Sequence, residues 1–553
     1  MLERICWKWA IAAFASASAV SVQVDAAPKW VRLSIVHDPA TTMTVAWHTI
    51  DPVTSNVRYG TDSAKLDKTA KGASKLGAGS LGYIHEAEMT GLQPGTKYYY
   101  QVGEDADGWS AVLSMRTAPA QHQDCGKHRF IFLGDNRPDS ILGLGDNWSS
   151  ILEEAVAEDP GFVLSGGDLV YAGTENSEWV DFLDWTGEPA RYSPFMPTMG
   201  NHDDDTVVGD GAQYNQIFAL PRSAGTGSSG TEDYYFFTYG NSIVVSINTQ
   251  QYKGGASAFA DQAAWLDEVL TNNPRRWKFV VLHHPIYTDN TMLSHPPNEQ
   301  GQNSALVPIF DKHHVDFVLQ SHNHWYERFE PSNCSTSGNP GSDNACPVGA
   351  DAWDKGTAYL TSGGAGAITI LWCGSATGLA TCKTDHHYVI FDIDNESIHM
   401  QTWASSQQTW SSDPSNHKLI DEVQYAKSGA VCPSGDAGLP DAEADAPVDS
   451  ALADAAEAST PDAVDAPDKP DAAKDAGPAK PDASPSHPDV GASDEPVPGS
   501  VSTPSADANA GDAGGCACTS GAAPPRTWQW LVAALAGSAL LARRRKRTEP
   551  RRT

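Results

Sequence analysis

The sequence predicts a multidomain chain: an all-β sandwich over residues 28–120, an α/β layered domain over 125–432, a disordered linker over 433–515 and a C-terminal hydrophobic segment within 516–553. Three observations carry that prediction. Short β-branched and aromatic runs punctuated by Gly and Pro fill the first stretch. Apolar strands alternate with helix-like stretches in the second. No Phe, Trp or Tyr occurs between 433 and 515. Hydrophobic residues make up 40% of the chain and 17 are Trp, so a sizeable core is available and global disorder is excluded.

Residues 1–27 read as a secretory signal: Arg4 and Lys8 precede an apolar stretch, and Val24-Asp25-Ala26 offers small residues for cleavage. A buried first helix is the alternative, disfavoured by Pro28 and the strand-like run that follows. In the sandwich, strands are expected at 32–36, 43–47, 56–59 and 97–102. The run Thr90-Gly-Leu-Gln-Pro-Gly-Thr-Lys-Tyr98 resembles the turn before a late strand in fibronectin type III domains. Trp47 and His48 are read as core and surface rather than as a site.

In the α/β domain, strands are expected at 129–133, 162–164, 243–247, 278–282, 315–319 and 388–392, and helices at 149–158, 258–270 and 304–313. Six Cys fall in or beside it. An even count in an exported chain favours disulfides over a metal site, since no Cys-x-x-Cys occurs. The expected pairs are Cys334 with Cys346, Cys373 with Cys382, and Cys125 with Cys432.

Segment 433–515 is built from Ala, Asp, Pro, Ser and Gly, with Pro-Asp-Ala at 440, 461, 470 and 481. It cannot bury enough apolar surface to offset chain entropy, so it is read as a spacer of roughly 50 Å r.m.s.. After it come Cys516 and Cys518, an uncharged stretch over 528–542, and Arg543-Arg-Arg-Lys-Arg547. That order resembles MYXO-CTERM sorting tails, which implies processing near the Cys and retention at the cell surface. A plain tail anchor, with the basic end in the cytoplasm, is the alternative.

Formal charge is −32, with net −15 in the linker, +7 in the last segment and −24 in the body. A body this acidic repels nucleic-acid backbones at long range, so any phosphate it handles needs local cations.

Five strand-end loops supply candidates for those cations' ligands: Gly134-Asp135-Asn-Arg137, Gly167-Asp168-Leu-Val-Tyr171, Gly200-Asn201-His202-Asp203, His283-His284-Pro285 and Ser321-His322-Asn-His324-Trp-Tyr-Glu-Arg328. Each alone is weak. Together they deliver oxygen and imidazole donors in an order that argues for two clustered metals.

The set resembles the calcineurin-like metallophosphoesterases and, through Tyr171 and His-x-His-x-Tyr-Glu-Arg, the purple acid phosphatases. The resemblance covers about residues 28–430 and implies an αββα sandwich behind the β domain. It implies that Asp135, Asp168, Tyr171 and His324 hold a first ion, and Asp168, Asn201, His283 and His322 a second, with Asp168 bridging. Tyrosinate favours a trivalent ion, so iron(III) is expected in the first site, and zinc, manganese or iron(II) in the second. His202 would protonate the leaving group and His295 would touch phosphate, by looser analogy. Ser321 stands where the family has Gly, and Ser is small enough to be tolerated. His284 is read as a supporting group, and His313, His314, His386 and His387 as surface or structural residues.

The function expected is an exported acid phosphatase cleaving small phosphate monoesters by attack of a metal-bound hydroxide. A phosphodiesterase or nucleotide pyrophosphatase on the same metals is one rival. A non-catalytic surface binding protein is another, and it predicts lost ligands, whereas all seven are present.

Overall fold

The computed structural model describes residues 28–121, 126–137, 147–204, 209–250, 259–289, 294–370, 372–408 and 411–428. The expected signal, linker, C-terminal segment and Cys125–Cys432 pair lie outside the described residues. Among those described, no helix is long and apolar enough to cross a membrane.

Two antiparallel sheets form the N-terminal domain. One has the order Lys29–Ser34, Met43–Thr49, Tyr83–Met89, Ala73–Leu76. The other runs Lys68–Lys71, Asn56–Gly60, Lys97–Glu104, with Gly108–Trp109 and Leu113–Arg116 both pairing the last strand. Residues with a two-residue period face inward: Tyr98, Tyr100 and Val102 meet Val45, Trp47 and Val57 in one apolar core. Trp47 is core as expected. His48 is also buried rather than surface, its Nδ1 2.8 Å from the Leu81 carbonyl.

The second domain stacks two mixed sheets. The first has the order Phe195–Pro197, Phe162–Ser165, His128–Leu133, His387–Ile393, Ser397–Ala404, Lys418–Ala426. Its first three strands are parallel. In the second sheet Ser242–Ser246, Trp277–Val281, Phe317–Gln320 and Ala358–Ser362 are parallel, flanked by antiparallel Tyr235–Tyr239 and Tyr326–Phe329. The strand period explains why both faces are apolar. Phe279 and Val281 point to the opposite sheet, while Val280 and Leu282 point to helices Ala260–Asn272 and Asn303–His313. Between the sheets the Phe130 ring lies 4.9 Å from Phe162 and 4.7 Å from Phe391, stacked, and edge-on to Phe279 at 5.0 Å. Helices Asn147–Val156 and Asn176–Ala190 cover the first sheet through Trp148, Ile151, Trp179 and Phe182. The layers are helix, sheet, sheet, helix.

The expected elements form within a few residues of their bounds. The strand expected at 315–319 begins at Phe317, because His314 ends the preceding helix in a left-handed turn with φ 51°. Disulfides Cys334–Cys346 and Cys373–Cys382 form as expected. The sandwich docks on helix Asn176–Ala190: Trp30 Nε1 donates to Asp184 Oδ1 at 2.7 Å, and Tyr100 donates to the Arg191 carbonyl at 2.6 Å.

Candidate metal centre

Parallel strands end together, so the loops that follow them meet at one edge of the two sheets. Asp135 follows His128–Leu133, and Asp168 follows Phe162–Ser165 by a Gly-Gly pair. Both carboxylates are buried on backbones with positive φ, 56° and 55°, and His322 sits at 72°. Non-glycine residues hold that conformation only where their surroundings impose it. Here Asp135 N donates to the Gly167 carbonyl at 2.9 Å, and His322 N to Asp135 Oδ2 at 2.8 Å.

The imidazoles are oriented by their outer nitrogens. His283 Nδ1 lies 2.8 Å from the Gly166 carbonyl, His324 Nδ1 2.9 Å from that of Ile368, and His202 Nδ1 2.6 Å from that of Tyr171. A carbonyl only accepts, so each Nδ1 carries the hydrogen and each Nε2 keeps its lone pair. His322 is turned the other way, with Nε2 3.1 Å from Glu299 Oε2 and Nδ1 facing inward.

Acceptors therefore converge without hydrogens to share. His283 Nε2 lies 3.0 Å from His322 Nδ1, 3.0 Å from Asn201 Oδ1 and 3.3 Å from Asp168 Oδ1. Asp135 Oδ1 is buried with no hydrogen-bond partner, 3.5 Å from His324 Nε2. A cation would satisfy such a set, and Asp168 belongs to both groups of donors, one with His283 and His322 and one with Asp135 and His324. Oxygen and imidazole donors of this kind fit first-row divalent and trivalent ions.

Electrostatics agree. Burial pushes His283, His322 and His324 down, the last to about 3, which keeps their lone pairs free. Burial and the charge of Asp168 push Asp135 up. Burial also opposes the Asp168 charge, yet His283 and His202, charged only in the acid range where this carboxyl titrates, and Arg137 outweigh it and bring its carboxyl to about 2.

Of the residues expected from the sequence, Asp135, Asp168, Asn201, His202, His283, His322 and His324 come together. The Tyr171 ring lies at the rim, 5.2 Å from that of His202 and under the Arg137 guanidinium at 5.3 Å. The His295 ring packs 3.8 Å from that of His322. His284 stands behind His322 at 4.4 Å, its Nδ1 2.9 Å from Thr249 Oγ1. His386 and His387 are buried and bonded to main-chain carbonyls, as structural residues are. Ser321 donates to the Ser362 carbonyl at 3.1 Å and lies between Gly134 and Gly166, where a Cβ on either would collide with its hydroxyl.

Three residues had no role in the sequence reading. Asp203 accepts from the N–H groups of Asp168, Leu169, Val170 and Gly200 at 2.9, 2.7, 3.2 and 2.8 Å, pinning two ligand loops with one carboxylate. Burial and Asp168 push it up to about 8 against those four donors, and a cation on Asp168 offsets the second push. Arg137 Nε lies 3.3 Å from Asp168 Oδ2. Glu299 meets His322. Asp203 and Arg137 lie within the quoted motifs, which was the one available signal. Glu299 has none.

Residues 28–117 match the purple acid phosphatase N-terminal domain and 128–326 the calcineurin-like phosphoesterase family. Phosphoenolpyruvate phosphatase of Allium cepa is 31% identical over 338 residues, 56% of this chain and 66% of that protein. Probable purple acid phosphatase 20 of Arabidopsis thaliana is 28% identical over 313 residues, 55% of this chain and 69% of that one. Among solved structures, the purple acid phosphatase PPD1 from yellow lupin superposes with a TM-score of 0.57 at 18% identity, over 72% of this chain and 74% of the lupin chain, a likeness of fold.

Proposed function

We infer, from the premise that this chain belongs to the calcineurin-like phosphoesterases with a purple acid phosphatase N-terminal domain, that it is an exported acid phosphatase acting on small phosphate monoesters at a two-metal centre. The observation that carries the reading is the cluster of His283 Nε2, His322 Nδ1, Asn201 Oδ1 and Asp168 Oδ1, acceptors with no shared hydrogen. Asp135, Asp168, Tyr171 and His324 would hold the first ion, and Asp168, Asn201, His283 and His322 the second. Iron(III) suits the tyrosinate, and zinc, manganese or iron(II) the second donor set. When bound, such a pair supplies positive charge to a phosphate and lowers the pKa of a water.

The remaining work falls to the chain's own groups. His202, anchored through Nδ1, keeps Nε2 4.0 Å from Asp168 Oδ2 with a quarter of its side chain exposed, a position from which its imidazolium form would give the Nε2 proton to a leaving oxygen. Arg137 adds a fixed guanidinium beside Asp168. His295, half exposed, is the phosphate-side contact. The domain bounds 28–120 and 125–432, the signal over 1–27, the linker and the surface-retained tail belong to the same reading, and the two disulfides are consistent with an extracellular protein.

The test is parallel assay of a monoester and a bis-ester on iron- and zinc-loaded protein. Hydrolysis of the monoester is expected, and hydrolysis of neither by fully metallated protein sinks the reading. A visible tyrosinate-to-iron band, lost in Tyr171→Phe, is expected of the oxidised protein. Its absence from iron-loaded protein removes Tyr171 from the ligand set.

A further inference from the structure

Glu299 carries the most unexplained structure near the centre. Its side chain is 30% exposed, yet its Oε2 lies 3.1 Å from His322 Nε2 and 3.3 Å from His295 Nδ1. The same loop is tied independently. Asn323, between the two proposed ligands His322 and His324, accepts from His295 N at 2.8 Å and donates to its carbonyl at 3.1 Å.

We propose that Glu299 is a positioning residue whose carboxylate fixes the His322 ring with Nδ1 toward the centre and holds the His295 ring against it. The proposal rests on the metal-centre reading above. An imidazole has two nitrogens, and a ligand presented through Nδ1 needs a partner for Nε2–H. His283 and His324 use main-chain carbonyls for their outer nitrogens. At His322 the outer nitrogen faces the Glu299 carboxylate instead, while its backbone N–H, at φ 72°, donates to Asp135 Oδ2. A carboxylate from another loop does the task, and as an anion it also makes the ring a better donor.

The donor atoms of His284, Glu299 and His322 lie within 4.8 Å of one another, so a third cation is the competing explanation. The hydrogen positions favour positioning. Gln250 Nε2, which only donates, is 3.4 Å from His284 Nδ1. Thr249 Oγ1 lies nearer that nitrogen, at 2.9 Å, and a His284 accepting both contacts through Nδ1 would keep its hydrogen on Nε2, so the zinc titration decides between the two.

The experiment titrates the metal-depleted full chain with zinc chloride by calorimetry, for wild type, Glu299→Ala, Glu299→Gln, His284→Gln and His283→Ala. Expected for Glu299→Ala is one equivalent bound roughly 10–100-fold more weakly, the other unchanged, and the metal-free melting temperature unchanged. Glu299→Gln, which keeps an acceptor for His322, recovers most of the affinity. Unaltered binding in Glu299→Ala overturns the proposal. So does equal weakening of both equivalents together with a lower metal-free melting temperature, which marks a merely structural residue. A third wild-type equivalent abolished by both Glu299→Ala and His284→Gln makes Glu299 a ligand and also overturns it. Two equivalents retained by His283→Ala overturn the metal-centre reading itself, and this inference with it.

Discussion

Asp203→Asn separates two ways of building the centre, by ligand identity alone or by the backbone that aims the ligands. Asp203 Oδ1 accepts from Leu169 and Val170, and Oδ2 from Asp168 and Gly200. An amide turns one oxygen into a group that cannot accept, so two of the four bonds are lost and two buried N–H groups face another N–H. Leaving each of two buried N–H groups without an acceptor costs about 1.5 kcal/mol, giving a loss of about 3 kcal/mol. A folded unit of roughly 400 residues unfolds with an entropy near 0.8 kcal/mol/K, so the melting temperature falls by about 4 °C. Activity suffers more. Asp168, at φ 55°, loses the restraint on its own N–H or on those of Leu169 and Val170 directly after it, according to which way the amide turns, and a misplacement of about 1 Å costs on the order of 100-fold. The assay is scanning calorimetry with and without zinc, beside monoester turnover. A variant melting within about 1 °C of wild type with kcat within about twofold refutes the argument.

Asp168→Asn removes the one carboxylate common to both donor groups. It is expected to bind neither ion firmly by elemental analysis and to lose roughly 1,000-fold or more in kcat. Glu327 gives a pH prediction. Burial raises its carboxyl from 4.5 to about 7, against N–H and hydroxyl donors from Asp289 and Thr361. The folded state then favours the protonated form, so its stabilisation is complete below pH 4.5 and is lost as pH rises toward 7. Glu327→Gln, which does not titrate, should gain on wild type across that window by at most about 3 kcal/mol in denaturant unfolding. A difference that stays constant between those pH values contradicts the assignment. The Cys334–Cys346 bridge closes a separation of 12 residues. Replacing both Cys by Ser is expected to cost about 3 kcal/mol in the same measurement, and a change below about 1 kcal/mol counts against a constraint of that size.

The ligand loops were legible because each follows a short apolar run, and strand ends are where layered sheets present polar groups. Their partners were not. Asp203 acts on main-chain N–H groups, which leave no trace in residue types. Glu299 meets His322 from 23 residues away, through a loop whose path only the fold sets. Helix Asn176–Ala190 escaped reading because Gly187 and Pro189 break its pattern and part of its burial is against the other domain, at Trp30. Strand Lys418–Ala426 forms a sheet edge and fully buries only Tyr425, too little for an alternating signal.

The departure at Ser321 follows from the same geometry that strains the ligands. Asp135, Asp168 and His322 occupy left-handed backbone, where glycine fits freely but supplies no donor. Each such residue costs on the order of 1 kcal/mol, so the strain is tolerable only at the ends of rigid strands anchored by the Phe130, Phe162, Phe279 and Phe391 rings. Glycines are spent instead beside the ligands, where loops must approach. A Cβ at Gly200 would strike Asp168, and one at Gly363 would strike the Asn323 main chain. Gly134 and Gly166 leave the space that the Ser321 hydroxyl fills. The tolerance of serine at 321 is thus a property of those two glycines. Alanine at Gly166 would displace Ser321, and with it the turn that delivers His322.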